Sequence, residues 1–386
     1  MGADFFQLKR DWSRYKDLIL EYYLKPYIAK VAKLGKPILI VDCFAGCGQF
    51  GDGKPGSPII IAKAIQKWRA TGTAISAEFI EADRHNYELL QSNLEPFGNV
   101  GQIRNGRFED VVQELATRAQ SETLFLYIDP YTVKGLDFAK MQAVYDQIRK
   151  SGASVEVLMN FNVATFMRWA LAAQKRHFGE GEDFGDADYQ ADDPNERVEI
   201  ATLNSIAGGD YWQEIAQNGL TFAQQLRQFA TCYAQQLGRS FAFVCSYPVK
   251  SAYKHKVPKY LLIYATRSSH GLELMNDAMC NARQEFLGEQ FPANTLFDLT
   301  PDHELSDFDE LKTALVNTLR VNGPLKRKAL RMKSLESFFC QFSKSQLNQN
   351  VKELLKARRL FSSTGKIVIN DDVLLSAIPF QTNSSG

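Results

Sequence analysis

The sequence predicts an α/β fold built on a mostly parallel sheet, and three observations carry that prediction. Helical patterns alternate with short β-branched runs, a continuous apolar run at 37–42 ends in a glycine-rich turn, and two further apolar runs fall close together near residue 250. In chain order, a helix over 15–32 puts aromatics and leucines on one face and is expected to bend or break near Pro26. Strand 37–42 is apolar throughout, as suits a strand covered on both faces, and Cys43-Phe-Ala-Gly-Cys-Gly48 turns it into the helix at 58–69. Strand 74–81, helix 86–94 and strands 100–104, 124–129 and 155–161 follow. A long helical stretch (162–240) comes next, and the runs 241–249 and 260–266 close the sheet as a pair.

With 386 residues, 45% hydrophobic and 23% charged, and 45 Lys+Arg against 44 Asp+Glu, the chain reads as an ordinary globular protein of two or three units. That balance excludes disordered and fibrous classes. No run approaches the roughly 18 apolar residues of a membrane span, and the first ten residues lack an apolar signal core, so a cytoplasmic protein without a membrane partner is expected. The six cysteines are scattered, which argues against a disulfide framework, and Cys43 and Cys47 alone stand close, so no metal site is expected. His85, His177, His255, His270 and His303 share no ligand spacing. Residues 179–196 form an acidic, Gly- and Pro-containing segment that reads as a solvated loop.

Five strands with helical crossovers and a closing pair are the layout of a Rossmann-like class I S-adenosylmethionine-dependent methyltransferase, and particular residues carry the resemblance. Val41-Asp-Cys-Phe-Ala-Gly-Cys-Gly48 resembles motif I of such enzymes. The resemblance implies that Asp42, Phe44, Ala45, Gly46 and Gly48 bind the cofactor S-adenosylmethionine, the two glycines letting the backbone pass where a Cβ would collide. Glu81, ending Phe79-Ile-Glu81, is then placed to accept both ribose hydroxyls. Asn105-Gly-Arg-Phe-Glu-Asp110 falls where related sheets present an acid to the adenine amine. Arg107 stands in that place here, and Phe108 is expected to stack on the adenine. Leu124-Phe-Leu-Tyr-Ile-Asp-Pro-Tyr131 resembles a D-P-P-Y motif shortened by one proline. By that analogy Asp129 and the Pro130 carbonyl orient a base amino group while Tyr131 stacks on the base. The cytosine-C5 chemistry, which needs a Pro-Cys nucleophile at this place, is excluded.

More narrowly, the chain is similar to the three-Cys-motif partner family over roughly residues 10–285. The likeness rests on Lys16-Asp-Leu-Ile-Leu-Glu-Tyr-Tyr-Leu24, the motif I loop with Asp52-Gly-Lys-Pro-Gly-Ser-Pro58, Gly208-Gly-Asp-Tyr-Trp212 and Lys259-Tyr-Leu-Leu-Ile-Tyr264 with His270-Gly271. It departs at Cys47, where the family tends to have proline, and at Thr132, where it tends to have glycine. The family implies a methyltransferase-like fold (1–290) and a three-Cys-motif protein as partner. Ser57 reads either as the cap of the following helix, with Pro58 at its first position, or as an anion or substrate contact.

Beyond residue 300 the pattern changes to a winged-helix-like module (300–375): helices at 307–319, 334–342 and 345–359, the last capped by Ser343 or Ser345, then a hairpin over 361–369 turning at Thr364-Gly365. Residues 321–360 carry a net charge of about +8. Lys326, Arg327, Lys328, Gln349 and Lys352 are the expected contacts to DNA or RNA. Two functions follow: a methyltransferase acting on a nucleic-acid base amine, or a protein of that fold serving as nucleic-acid-binding scaffold for its partner without methyl transfer.

Overall fold

Mainly apolar runs make the central strands, and the computed structural model, which describes residues 11–175, 196–250, 258–290 and 307–380, buries them completely. Strands β1 (Ile38–Asp42), β4 (Thr123–Ile128) and β5 (Val155–Phe161) are buried at every position, because helices cover both faces. With β2 (Ile75–Glu81), β3 (Gly101–Asn105), β6 (Phe243–Val249) and β7 (Tyr260–Thr266) they form a seven-stranded sheet of order β3-β2-β1-β4-β5-β7-β6. The first five strands are mutually parallel, while β7 runs antiparallel to both β5 and β6. This mostly parallel sheet is consistent with the Rossmann-like methyltransferase layout expected from the sequence. The winding direction reverses between β1 and β4, so a crevice opens beyond their carboxyl ends, where α/β sheets bind ligands.

Helix α1 (Asp11–Val31) continues through Pro26 rather than breaking there. The buried face made by Leu18, Ile19, Tyr23, Leu24, Tyr27 and Ile28 holds it together despite the missing amide. Between the strands run α2 (Ser57–Arg69), α3 (Arg84–Leu94), α4 (Phe108–Arg118) and α5 (Phe138–Ser151). The stretch after β5 holds α6 (Val163–Ala173), α7 (Ile200–Ala207), α8 (Trp212–Gln217) and α9 (Phe222–Leu237). These helices share an aromatic core with the sheet: Phe161 and Tyr233 lie 5.0 Å apart and Phe166 and Phe229 4.6 Å apart. Of the acidic segment 179–196 only Glu196 is described, paired with Lys134 at 2.6 Å; residues 176–195, His177, His255 and His303 lie outside the described residues.

The chain divides into two compact units, Met1–Leu272 and Glu273–Gly386, and the division falls inside α10 (Ser269–Gln290). In the second unit α11 (Phe308–Asn322), β8 (Leu325–Lys326), α12 (Arg327–Phe338), α13 (Lys344–Lys356), β9 (Phe361–Ser362) and β10 (Leu374–Ser376) form three helices and a small sheet of order β8-β10-β9. Ser343 caps α13 in a reciprocal capping box with Gln346. The hairpin expected to close at residue 369 closes later, because β9 pairs with β10. Helix α12 begins seven residues before the expected 334, since its amino-terminal turn is basic rather than apolar. Arg331, 3% exposed, ties this unit together by bonding Glu273 and Asp371. Among the described residues no helix is long and apolar enough to cross a membrane.

Candidate active site

The loop leaving β1 is shaped by two left-handed glycines, Gly46 (φ +65°) and Gly48 (φ +83°). A Cβ at Gly48 would stand 3.1 Å from Leu90 Cδ1, and one at Gly56 would stand 3.1 Å from the Gly48 carbonyl oxygen, so both positions are tight, and at Gly48 the left-handed backbone itself favours glycine. The turn is fastened by Glu81, whose Oε2 accepts from the Gly46 amide at 2.8 Å while Oε1 accepts from the Asp83 amide at 2.7 Å. Burial pushes the Glu81 carboxyl upward, and those two amides act against it.

Asp42 ends β1 fully buried, and the Ser57 hydroxyl donates to its Oδ2 at 2.6 Å. Burial raises its carboxyl to about 7, with Ser57 pulling the other way and Asp129 and Glu81 adding repulsion. Of the two readings of Ser57, capping is therefore corrected: Gly56 is the cap residue of α2, and the Ser57 hydroxyl is spent on Asp42.

The crevice between the β1 and β4 ends is a cleft with about 700 Å³ of free space, its open mouth included. Phe44, Ala45, Cys47 and Gly48 line one side, and Asp129, Pro130 and Tyr131 line the other. The structure thus brings the two motifs together across one space. Within it Asp129 is heavily engaged. Lys16 Nζ of α1 donates to Oδ1 at 2.8 Å and Oδ2 at 2.6 Å, Asn160 Nδ2 of β5 donates to Oδ1 at 2.9 Å, and the Tyr127 hydroxyl approaches Oδ2 at 3.4 Å. Lys16 also stands 5.9 Å over the ring of Tyr260, another lining residue.

Two expected adenine contacts are not brought into the cleft. Phe108 opens α4 but is 2% exposed and packs on Phe44 with ring centroids 5.8 Å apart, so the expectation of an open stacking face is corrected: the ring belongs to the core beneath the loop. Arg107 is exposed and pairs with Glu109 at 3.1 Å. Glu81, 2% exposed, braces the loop from behind with both oxygens accepting backbone amides and is not part of the cleft lining, so the expected ribose contact is not brought into the cleft either. The sequence reading missed Lys16, Tyr127, Asn160 and Tyr260 as site residues. Asn160 had a signal: with Glu156 at the other end, it is one of two polar residues in a strand buried at every position, and it lies near the carboxyl end where ligands bind. Among the described residues no three His, Cys, Asp or Glu side chains converge as metal ligands.

In the second unit the basic count is partly neutralised from outside the counted window. Lys326 pairs with Asp372 at 3.1 Å, and Arg327 pairs with Asp371 at 2.7 Å. Gln349 donates to Glu353 at 3.2 Å. Lys328 and Lys352 are half-buried and make no ion pair with a described residue.

No family model matches the chain, and no curated protein does. Among solved structures, the chain is similar to Trm1 from Pyrococcus horikoshii in complex with S-adenosyl-L-methionine (9% identity, 84% of this chain and 90% of that one, TM-score 0.35). It is also similar to the methyltransferase domain of bacterial CtHen1-C (9% identity, 65% of this chain and 100% of that one, TM-score 0.30). A putative methyltransferase, yhhF from Escherichia coli, shares 18% identity over 36% of this chain and 69% of its own length, with a TM-score of 0.22.

Proposed function

We propose that the chain is an S-adenosylmethionine-dependent methyltransferase acting on nucleic acid, at a base amino group. The observation that carries this reading is the joining, at the switch point of the sheet, of the Gly46–Gly48 cradle braced by Glu81 with Asp129-Pro130-Tyr131 across one cleft. The residues present fit the cofactor at the loop, where Ala45, Cys47 and Gly48 line the cleft on the side the methionine moiety would take, while Glu81 would act from behind by holding that loop in shape. S-adenosylmethionine supplies a methyl group on a sulfonium. Held there, it would give that methyl to the acceptor's lone pair and keep the carbon–sulfur bonding electrons, and the acceptor's surplus proton would pass to water.

The protein's part is orientation. Tyr131 offers a ring for stacking, and burial keeps its phenol neutral by pushing its pKa well up. The helix–strand–helix–helix–strand–strand order of the second unit, with β10 central in its sheet, supports reading it as a winged helix. Lys328 and Lys352, without an ion pair among the described residues, are cations this reading directs toward phosphate, and a three-Cys-motif protein is the partner implied by the sequence resemblance. One observation favours the second reading, a scaffold without methyl transfer: Asp129 is already saturated by Lys16, Asn160 and Tyr127.

Calorimetric titration with S-adenosylmethionine and S-adenosylhomocysteine tests the proposal, repeated on the Gly46→Asp, Glu81→Ala double variant with its fold checked by circular dichroism. Micromolar binding that falls at least a hundredfold in the variant supports the enzyme. Absence of binding by the unaltered protein, alone and with nucleic acid added, leaves the scaffold.

A further inference from the structure

We infer that Asn160, rather than Asp129, presents the hydrogen-bond acceptor to the group being methylated, and that Lys16 and Asp129 are the clamp that aims it. The inference rests on the methyl-transfer reading and assigns its acceptor side.

An ionised carboxylate can only accept, so the Asn160 amide is fixed with its nitrogen on Asp129 Oδ1 and its oxygen turned away. Asn160 is 5% exposed and lines the cleft, yet its Oδ1 has no hydrogen-bond partner among the described residues. A buried acceptor left unmade costs free energy that a correctly placed donor returns.

Asp129 offers no such opening. Its two oxygens receive two contacts from Lys16, one from Asn160 and one longer contact from Tyr127, which accounts for the roughly four lone-pair directions of a carboxylate. A target entering beside Tyr131 therefore meets in Asn160 the side chain whose acceptor is still to be filled, and reaches that oxygen, which is closed to solvent, once the atoms covering it shift. The chemistry selected is a planar base carrying an N–H donor. One amine hydrogen points at Oδ1, which leaves the nitrogen lone pair free to be directed across the cleft toward the Ala45–Gly48 side. A neutral amide takes no proton in this role, so the proton released after transfer passes to water, as in the proposal above.

The test measures methyl transfer from radiolabelled S-adenosylmethionine to total RNA and genomic DNA taken from cells lacking this gene, alongside cofactor affinity by calorimetry. Asn160→Ala is expected to lower kcat by roughly a hundredfold while the cofactor dissociation constant stays within threefold. Asn160→Asp keeps an oxygen facing the target but sets a second carboxylate against Asp129, so its activity is expected to survive at acid pH and to fall as pH rises and the shared proton is lost, where the unaltered protein shows no such fall. Lys16→Met is expected to lower kcat, because the clamp is released; were Asp129 itself the acceptor, the same change would free it and raise activity. Asn160→Ala retaining kcat within threefold, or Lys16→Met gaining activity, overturns the inference and leaves the methyltransferase reading intact. Cofactor binding or transfer absent in the unaltered protein removes that reading and the inference with it.

Discussion

Replacing Asp42 by asparagine should stabilise the protein in a way that depends on pH. Asp42 is fully buried at the end of β1, and burial raises its carboxyl from the ordinary 3.8 to about 7. Because the folded pKa lies above the unfolded one, the folded state binds the proton more tightly, and stability falls as pH rises from 3.8 through about 7. The gap between those two values corresponds to about 4 kcal/mol above neutrality, and to about 2 kcal/mol at pH 5. An asparagine side chain at this position carries no charge at any pH, and its amide oxygen still accepts from Ser57, so the variant escapes this loss. Urea unfolding followed by circular dichroism at pH 5, 6, 7 and 8 should show the variant's advantage widening by about 2–3 kcal/mol from the first to the last. An advantage that stays constant across that range, or widens toward acid, would refute the claim that Asp42 is held protonated by its burial.

Two further outcomes follow from close contacts elsewhere. Gly208 ends α7 at φ +72°, and a Cβ there would overlap the Phe138 ring, so Gly208→Ala should cost about 2–4 kcal/mol in urea unfolding, and a loss under about 0.5 kcal/mol would contradict the packing. Arg331→Met leaves Glu273 with Lys344 and Asp371 with Arg327 as their remaining cations and should cost about 1.5–3 kcal/mol; it should also flatten the acid limb of the stability profile. In the unaltered protein Arg331 and Arg327 hold the Asp371 carboxyl well below 3.8, so that carboxyl contributes stability above this value and loses it as pH falls. An unchanged acid limb in the variant counts against that pairing.

The alternation of apolar runs and helical patterns was enough to read the sheet, because strands covered on both faces write themselves as mainly hydrophobic runs. The Tyr260–Thr266 strand and the Val155–Phe161 strand fall where the pattern puts them. The motif I loop was equally legible, since Gly46 and Gly48 are demanded by local backbone geometry. What escaped was whatever depends on residues far apart in the chain. Lys16 and Asp129 are 113 positions apart, and nothing in the helix that carries Lys16 distinguishes it from a solvated lysine. Phe108 read as a stacking face because its motif says where it lies in the chain and not that Phe44 covers it. The basic count of the second unit misled for a related reason: Asp371 and Asp372, which answer Arg327 and Lys326, fold back from beyond the window.

Three carboxyls, Asp129 lining the cleft and Glu81 and Asp42 buried behind its lining, are balanced by different devices, and the differences bear on which ligand they suit. Asp129 is met by an ammonium and Glu81 by two backbone amides, while Asp42, surrounded by the Ser57 hydroxyl, the Phe44 amide, the Cys43 thiol and the two other carboxyls, is raised to about 7 by burial, so that near neutrality a proton balances it in part. Of the three, only the proton can leave. A cation bound against the Phe44–Gly48 loop lowers the cost of ionising Asp42, so binding a positively charged sulfonium should release protons near pH 7 where a neutral thioether of otherwise equal structure does not. S-adenosylmethionine and S-adenosylhomocysteine differ in this one charge. Titrations in two buffers of unlike ionisation enthalpy should therefore report more proton release for the former, with its affinity gaining on the latter's as pH rises from about 6 to about 8, and with both differences gone in Asp42→Asn. Equal proton release for the two ligands would mean that the buried carboxyl does not sense the cleft, and that its raised pKa belongs to the fold alone.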